Sequence, residues 1–255
     1  MNPNEDYREI NRKSWNGRLD AHLQSEFYGV GEFLQGKSSL NQIEVDLLTP
    51  LNGKTLLHLQ CHFGQDTLSL QRMGARSVGV DLSDKAIEKA RNLNDELGLA
   101  ARFVACDLYD TPNHIDEKFD VVFTSYGTIG WLPDLHRWAR VINHFLKPGG
   151  RFIFVEFHPV VWMFDANFEK IEYRYFKDEA IVEEEEGTYA DREAELSTKS
   201  ISWNHSLGEV FTALLDAGLR IDSFREYDYS PYSNFKNMVE FEKGKFRLRE
   251  LGDKL

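Results

Sequence analysis

The chain has 255 residues and a formal charge of −12, and it is 42% hydrophobic and 13% aromatic. That length and apolar content suit one large domain with a buried core. The acidic balance argues against nucleic acid and anionic membranes as partners, and Arg12, Lys13 and Arg18 are too sparse and too mixed with acids to form a basic patch. The polar opening MNPNEDYREINRKSW lacks an apolar signal segment, and no stretch is apolar enough to span a membrane, so a cytoplasmic location is the default expectation. Cys61 and Cys106 end apolar runs and read as buried thiols in a reducing compartment.

In chain order, residues 5–24 read as a helix, with Tyr7, Ile10, Trp15 and Leu19 available for packing. Leu40, Ile43, Leu47 and Leu48 carry helical spacing over 40–48, and Pro50 ends that helix. A strand is predicted at 55–59, then a helix at 66–73 closed by Gly74, then a strand at 77–80. Ser83 caps a helix running to Gly98. Strands at 102–105 and 119–124, a helix at 134–146, a turn at 147–150 and a strand at 151–157 follow. Strands alternate with helices, and the runs VVF and FIFV fit a parallel sheet covered on both faces. Residues 159–205 break the alternation. IEYRYF and KSISW read as antiparallel strands, with the glutamates 183–186 as a solvated hairpin tip between them. A helix over 206–217, a Gly218 cap and a strand at 219–224 close the pattern, and no clear buried strand follows Pro231.

The chemistry centres on LLHLQCHFGQDT (56–67) and VGVDLS (78–83). An apolar strand ends in a turn at a helix N-terminus, where free backbone N–H groups attract an anion. A second strand ends in an acid, Asp81, placed to hold ribose hydroxyls. The dinucleotide pattern G-x-G-x-x-G is absent. The turn instead resembles the first motif of class I S-adenosylmethionine-dependent methyltransferases, an acid followed by three alternate glycines. Here His58 replaces the acid, Gln60 and His62 replace two glycines, and Gly64 matches. Asp107 after the third strand, FDVVFTSYGTIGWLPD (119–134) and LKPGGRFIFVE (146–156) are similar to later motifs of that family in the same order. The resemblance covers about 50–158 and 205–226.

It implies an α/β, Rossmann-like fold with a mostly parallel central sheet, helices on both faces, an N-terminal helical cover (1–49), a cofactor-binding core (50–158), an antiparallel lid (159–205) and a C-terminal helix and strand (206–255) in one domain. It implies S-adenosyl-L-methionine as cofactor, held by Gln60, Cys61, His62, Gly64, Asp81, Leu82, Asp107, Leu108, Ser125 and Tyr126. The reaction is methyl transfer to an O, N or S atom of a small acceptor, in a monomer or homodimer. The lack of an Asn/Asp-Pro-Pro-aromatic motif after the fourth strand argues against DNA amine methylation. His158, His205 and Tyr126 are the catalytic candidates, with His62 a further histidine able to serve as base. Glu156 reads either as a site acid or as a buried strand partner, and Trp131 as a ligand stack or loop packing. His58, inside an apolar strand, reads as a core histidine. The side chains of Gln60 and His62 are expected off the ligand path, or His62 at the methionine end, with Gly64 giving close backbone approach. Aromatics of the cover (Tyr7, Trp15, Phe27, Tyr28) and lid (Trp162, Phe164, Tyr173, Tyr175) would enclose the acceptor or serve as core. No histidine or cysteine spacing marks a metal site. Two other classes fit less of the pattern: a non-catalytic binder of S-adenosylmethionine or its product, and a nicotinamide oxidoreductase.

Overall fold

The computed structural model describes residues 6–251. A five-stranded, wholly parallel sheet runs in the order β3-β2-β1-β4-β5. Its strands are β1 (Thr55–Leu59), β2 (Arg76–Asp81), β3 (Arg102–Ala105), β4 (Phe119–Ser125) and β5 (Leu146–Val155). The chain runs outward from β1 through β2 to β3, then crosses back to β4 on the other side of β1. Adjacent β1 and β4 therefore form the switch point, where ligands bind beyond the carboxyl ends of open α/β sheets.

Helices α1 (Tyr7–Gln24), α2 (Val30–Leu34) and α3 (Gln42–Leu48) precede the sheet. The predicted start of α1 at residue 5 lies outside the described residues. Helices α4 (Gln65–Arg72), α5 (Asp84–Glu96) and α6 (Leu135–Phe145) connect the strands, and α7 (Leu207–Asp216) packs on α6. Side chains of Asp6, Ser83, Asp134 and Ser206 cap α1, α5, α6 and α7 by accepting backbone N–H groups of the first turn. Every residue of β1 is buried, and Trp138, Phe119, Phe145 and Leu57 fill the core. Between β4 and β5, Phe119 pairs with Leu146 and Val121 with Arg151. The Lys-Pro-Gly-Gly segment therefore bulges inside β5.

Three sequence expectations are corrected. The glutamates 183–186 are not a hairpin tip. They lie in strand β6 (Ile181–Glu186), antiparallel to β7 (Ser197–Ser202). IEYRYF forms no strand beyond a single bridge from Phe164 to Ile171. The acids hold a strand because alternate ones find partners: Tyr173 donates to Glu183 at 2.6 Å, and Arg18 to Glu185 at 2.7 Å. The strand expected at 219–224 is absent. Its apolar residues break the period of two, and Ile221 and Phe224 stay exposed, so β5 is a sheet edge among the described residues. After Pro231 a separate hairpin forms from β8 (Met238–Glu242) and β9 (Lys245–Leu248).

Helix α1 lays a polar face on the lid. Asn11 exchanges two hydrogen bonds with the backbone of Ile201 in β7, both 2.8 Å. Ser14, Arg18 and His22 continue that buried face at helical spacing. No helix among the described residues is long and apolar enough to cross a membrane.

Candidate functional site

A cavity of about 1180 Å³ opens at the carboxyl ends of the strands, between the sheet, α1 and the lid. The turn after β1 forms one wall. Gln60, His62 and Gly64 have φ of 57°, 52° and 81°, so all three alternate positions adopt the left-handed backbone natural to glycine. Two non-glycine residues hold this shape, each at roughly 1 kcal/mol or more of strain. Gln60 donates from Nε2 to the carbonyl of Thr128 at 2.9 Å, tying the turn to the loop after β4, and its Oε1 is buried without a partner. The ring of His62 turns toward the cover. Its Nδ1 accepts the backbone N–H of Phe63 at 2.7 Å, so its Nε2 is the donor to Nδ1 of His22 at 2.9 Å. Trp15, Tyr28 and Phe63 pack round it. Burial pushes the pKa of His22 down to about 3 and that of His62 well below the usual histidine range.

Gly64 serves packing more than ligand approach. A Cβ there would meet Phe103 at 2.7 Å and Ala90 at 2.9 Å. Cys61 lies beneath, its Sγ against Gly79, and burial raises its thiol well above the ordinary value. That environment gives no activated nucleophile.

Asp81 anchors the turn to β2. Its Oδ2 accepts the N–H of His62 at 2.7 Å and its Oδ1 that of Ser83 at 2.8 Å. Burial raises its pKa to about 6. A carboxylate has about four lone-pair sites, so this one still has capacity for a diol. Asp107 follows β3 and accepts the N–H of Tyr109 at 2.8 Å, with its pKa also raised by burial. Leu82 and Leu108 line the cavity beside these acids, and Ser125 and Tyr126 line it at the end of β4. All ten residues expected to touch cofactor thus border one cavity. A planar base between leucines, a diol by Asp81 and a polar tail along the turn match the donor set, so the residues fit S-adenosylmethionine.

The catalytic candidates divide. Tyr126 lines the cavity, its hydroxyl buried beside the Glu44 carboxyl. Burial and the nearby Glu44 carboxyl raise its pKa far above the usual phenol range, which keeps it protonated. His158 lies outside the lining. Its Nδ1 accepts from the N–H of Val160 at 3.3 Å, and its Nε2 meets Glu226 at 2.9 Å near the surface. His205 is buried outside the lining as well, with Nε2 to the carbonyl of Leu132 at 2.8 Å and Nδ1 3.0 Å from Glu209. His58 is a core histidine on Phe123, bonded to Thr67 Oγ1 at 2.9 Å, and burial lowers its pKa to about 3.

Glu156 organises the loop after β4. It accepts backbone N–H groups of Gly127, Phe157 and Thr128, and the Thr128 hydroxyl at 3.0 Å. Trp131 donates to the carbonyl of Gly127 at 2.8 Å and packs edge-on against Trp15 in the cavity wall, 5.3 Å between ring centres. Sequence reasoning missed Arg18. Its guanidinium is buried, stacks near Trp15 and Trp131, and bonds Glu185 and Thr198 of the lid. The readable signal was Asn11, Ser14, Arg18 and His22 at helical spacing, a polar stripe where a core face would be apolar. Glu44 on α3 and Asp66 on α4 were missed too.

The sheet order, the glycine-like turn and the two strand-end acids define a methyltransferase-type Rossmann-like fold. Residues 57–154 match the family described as a methyltransferase domain. An uncharacterised methyltransferase from Synechocystis is 32% identical over 131 residues, 51% of this chain and 59% of that protein. A sterol 4-C-methyltransferase from Caenorhabditis elegans is 30% identical over 143 residues, 53% of this chain and 42% of its own length. The chain therefore spans about three-fifths or less of these relatives. Among solved structures, geranyl diphosphate C-methyltransferase from Streptomyces coelicolor superposes with a TM-score of 0.56 at 18% identity, covering 94% of this chain and 84% of that one. An S-adenosylmethionine-dependent methyltransferase from Mesorhizobium loti gives 0.52 at 19% identity, covering 76% and 87%. Residues 57–154 thus match a methyltransferase domain, and the fold around them is shared with S-adenosylmethionine-dependent methyltransferases of solved structure.

Proposed function

We propose that this chain catalyses methyl transfer from S-adenosylmethionine to an O, N or S atom of a small molecule. The observation that carries the reading is the convergence of the left-handed turn at 60–64 with Asp81, Asp107 and Ser125–Tyr126 on one cavity. Asp81 takes the ribose hydroxyls, Asp107 and Leu108 the adenine, and the turn with Ser125 the methionine portion. When bound, the cofactor supplies an electrophilic sulfonium methyl. The chain's own contribution is alignment and a dry site, the main requirements of in-line displacement. Helix α1 and the lid close over the cavity through Asn11 and Arg18. Tyr126, held protonated, donates a hydrogen bond and does not act as base. His158 and His205 stay outside the reaction.

The test is calorimetry with S-adenosylhomocysteine, followed by transfer of labelled methyl groups into a metabolite extract. Micromolar binding and label in small products support the reading. Binding without transfer to any acceptor would favour a regulatory binder. Saturable NAD binding with no heat from S-adenosylhomocysteine would overturn both.

A further inference from the structure

The cavity wall holds one buried cation that the cofactor contacts above do not use. Arg18 is 3% exposed and lines the cavity, whereas Lys37, Arg192 and Lys236, which line it too, are exposed side chains. One edge of its guanidinium is committed to the β6–β7 hairpin. Nε and Nη2 donate to Thr198 Oγ1 at 3.2 and 3.1 Å, and Nη2 donates to Glu185 at 2.7 Å. Nη1, which carries two further N–H groups, has no partner among the described residues. The ring centres of Trp15 and Trp131 lie 5.5 and 6.0 Å from the guanidinium carbon. Ser200 stands two residues beyond Thr198 on the same face of β7, buried and lining the cavity. Its hydroxyl also has no partner among the described residues. Neither Nη1 nor the Ser200 hydroxyl is sealed off, so both open on the cavity that their residues line.

A guanidinium stays charged at any working pH. Its charge here is met on one side only, by Glu185, whose side chain is 48% exposed and therefore screened by solvent. A ligand filling this part of the cavity must satisfy the Nη1 N–H groups and the Ser200 hydroxyl, and those groups ask for acceptor oxygens. A carboxylate is acceptor-only, and its hydrogen bonds to a guanidinium are charge-assisted. Glu183, Glu184 and Glu186 border the same cavity, so a single negative charge fits better than the two of a phosphate. Trp15 fixes where the group would sit: its ring lies 5.3 Å from His62 of the turn and 5.3 Å from Trp131 of the loop after β4. The cofactor's own carboxylate already has the helix N-terminus behind the turn. Arg18 faces the hairpin and the β4 loop instead.

Resting on the methyltransferase reading above, we propose that Arg18 Nη1 and Ser200 Oγ form a carboxylate-binding subsite, walled by Trp15 and Trp131, that holds the methyl acceptor. The acceptor is then a small carboxylic acid, oriented by its carboxylate at Arg18.

The probes are benzoate and benzamide, alike in shape and different in charge. Each is titrated into the full chain saturated with S-adenosylhomocysteine. Benzoate is expected to bind about tenfold or more tighter than benzamide, as charge-assisted hydrogen bonds require. Arg18→Gln is expected to cut benzoate affinity about tenfold and to leave benzamide within about twofold. Glu185→Gln loosens the same hairpin contact but spares Nη1, so it is expected to keep the preference for benzoate. Equal binding of the two probes, or binding of neither, in a protein that takes S-adenosylhomocysteine overturns the subsite and leaves the methyltransferase reading standing. A preference that survives Arg18→Gln overturns it as well. So does a preference lost in Glu185→Gln, because Arg18 then acts only by seating the hairpin. The analogue of S-adenosylhomocysteine that lacks its carboxylate separates the other source of this group. Arg18→Gln is expected to leave the affinity ratio of S-adenosylhomocysteine to that analogue within about twofold of wild type. Collapse of the ratio assigns the carboxylate at Arg18 to the cofactor and overturns the acceptor subsite. Wild-type chain that binds no S-adenosylhomocysteine refutes the methyltransferase reading itself.

Discussion

Replacing His62 with glycine restores the residue usual for methyltransferases at that position, yet the structure predicts damage. The substitution relieves left-handed strain of roughly 1 kcal/mol, part of which the greater freedom of glycine in the unfolded chain cancels. Against that gain stands the loss of a ring packed between Trp15, Tyr28 and Phe63. Truncating a fully buried Phe or Trp costs about 3–5 kcal/mol, an upper bound for this smaller, half-buried ring. The Phe63 N–H and His22 Nδ1 also lose their partners, at about 1–3 kcal/mol for each group left buried. These terms overlap, and a net loss of roughly 3 kcal/mol or more is expected, a large part of a typical total of about 5–15.

Gln60→Gly is the control. It relieves similar strain, removes one hydrogen bond to Thr128 worth about 1 kcal/mol, and deletes an Oε1 that had no partner. The net change is expected to lie within about 1 kcal/mol of zero. Urea unfolding at pH 7.5 measures both, and S-adenosylhomocysteine calorimetry checks that the turn still works. Equal stability of His62→Gly and wild type would refute the claim that this ring ties the cofactor turn to α1.

Asp81→Ala is expected to weaken S-adenosylhomocysteine binding by about 1–3 kcal/mol, and unchanged affinity by calorimetry would remove Asp81 from the ribose site. His158→Ala is expected to leave cofactor affinity and turnover within about twofold, because its ring lies outside the cavity lining; a collapse of turnover with cofactor affinity intact would restore it as base. Arg18→Met leaves Glu185 and Thr198 without their shared donor, so faster amide exchange across β6 and β7 is expected, and unchanged protection would show that other contacts hold the lid. Glu44→Gln should grow more stable relative to wild type as pH rises. The carboxyl ionises near 4.5 unfolded and about 7 folded, so wild type loses stability across that window, on the order of 3 kcal/mol. The variant lacks that penalty. His22 and His58, depressed from 6.5 to about 3, act in the opposite sense. They give stability above pH 6.5 that is lost as pH falls toward 3, so Glu44→Gln should weaken continuously on acidification below 6.5. A constant difference between variant and wild type from pH 4.5 to 7.5 would show Glu44 to be solvated.

What was legible follows from where apolar side chains carry the pattern. Strands β1, β4 and β5 are apolar runs, Ser83 and Ser206 are caps before apolar helices, and Asp81 and Asp107 end strands. The register of the lid was not legible, because β6 is held by Glu183 and Glu185 through partners distant in sequence, Tyr173 and Arg18. Periodicity scores such residues as solvent. The missing strand at 219–224 fails for another reason: Leu219 and Ile221 alternate but Phe224 falls out of phase, so the three apolar residues cannot share one face. Glu44 sits four residues from both Leu40 and Leu48, inside the apolar stripe that identified α3. A carboxyl in an apolar stripe is a sign of a buried polar site that hydrophobic spacing alone passes over.

The turn at 60–64 joins these two levels. Its backbone keeps the left-handed alternation that glycines normally permit, so the shape facing the ligand is unchanged. Its side chains are then free to do what glycine cannot: Gln60 reaches the loop after β4, and His62 reaches α1. Since α1 also grips the β6–β7 hairpin through Asn11 and Arg18, the turn at 60–64 and that hairpin share one helix. A glycine at 62 would cut that link while leaving the turn's own backbone path open. Ordering the turn around a bound ligand should therefore order α1 and the lid with it, which amide exchange across 11–22 and 181–202 reads directly: protection rising in both segments when S-adenosylhomocysteine binds wild type, and in neither when it binds His62→Gly.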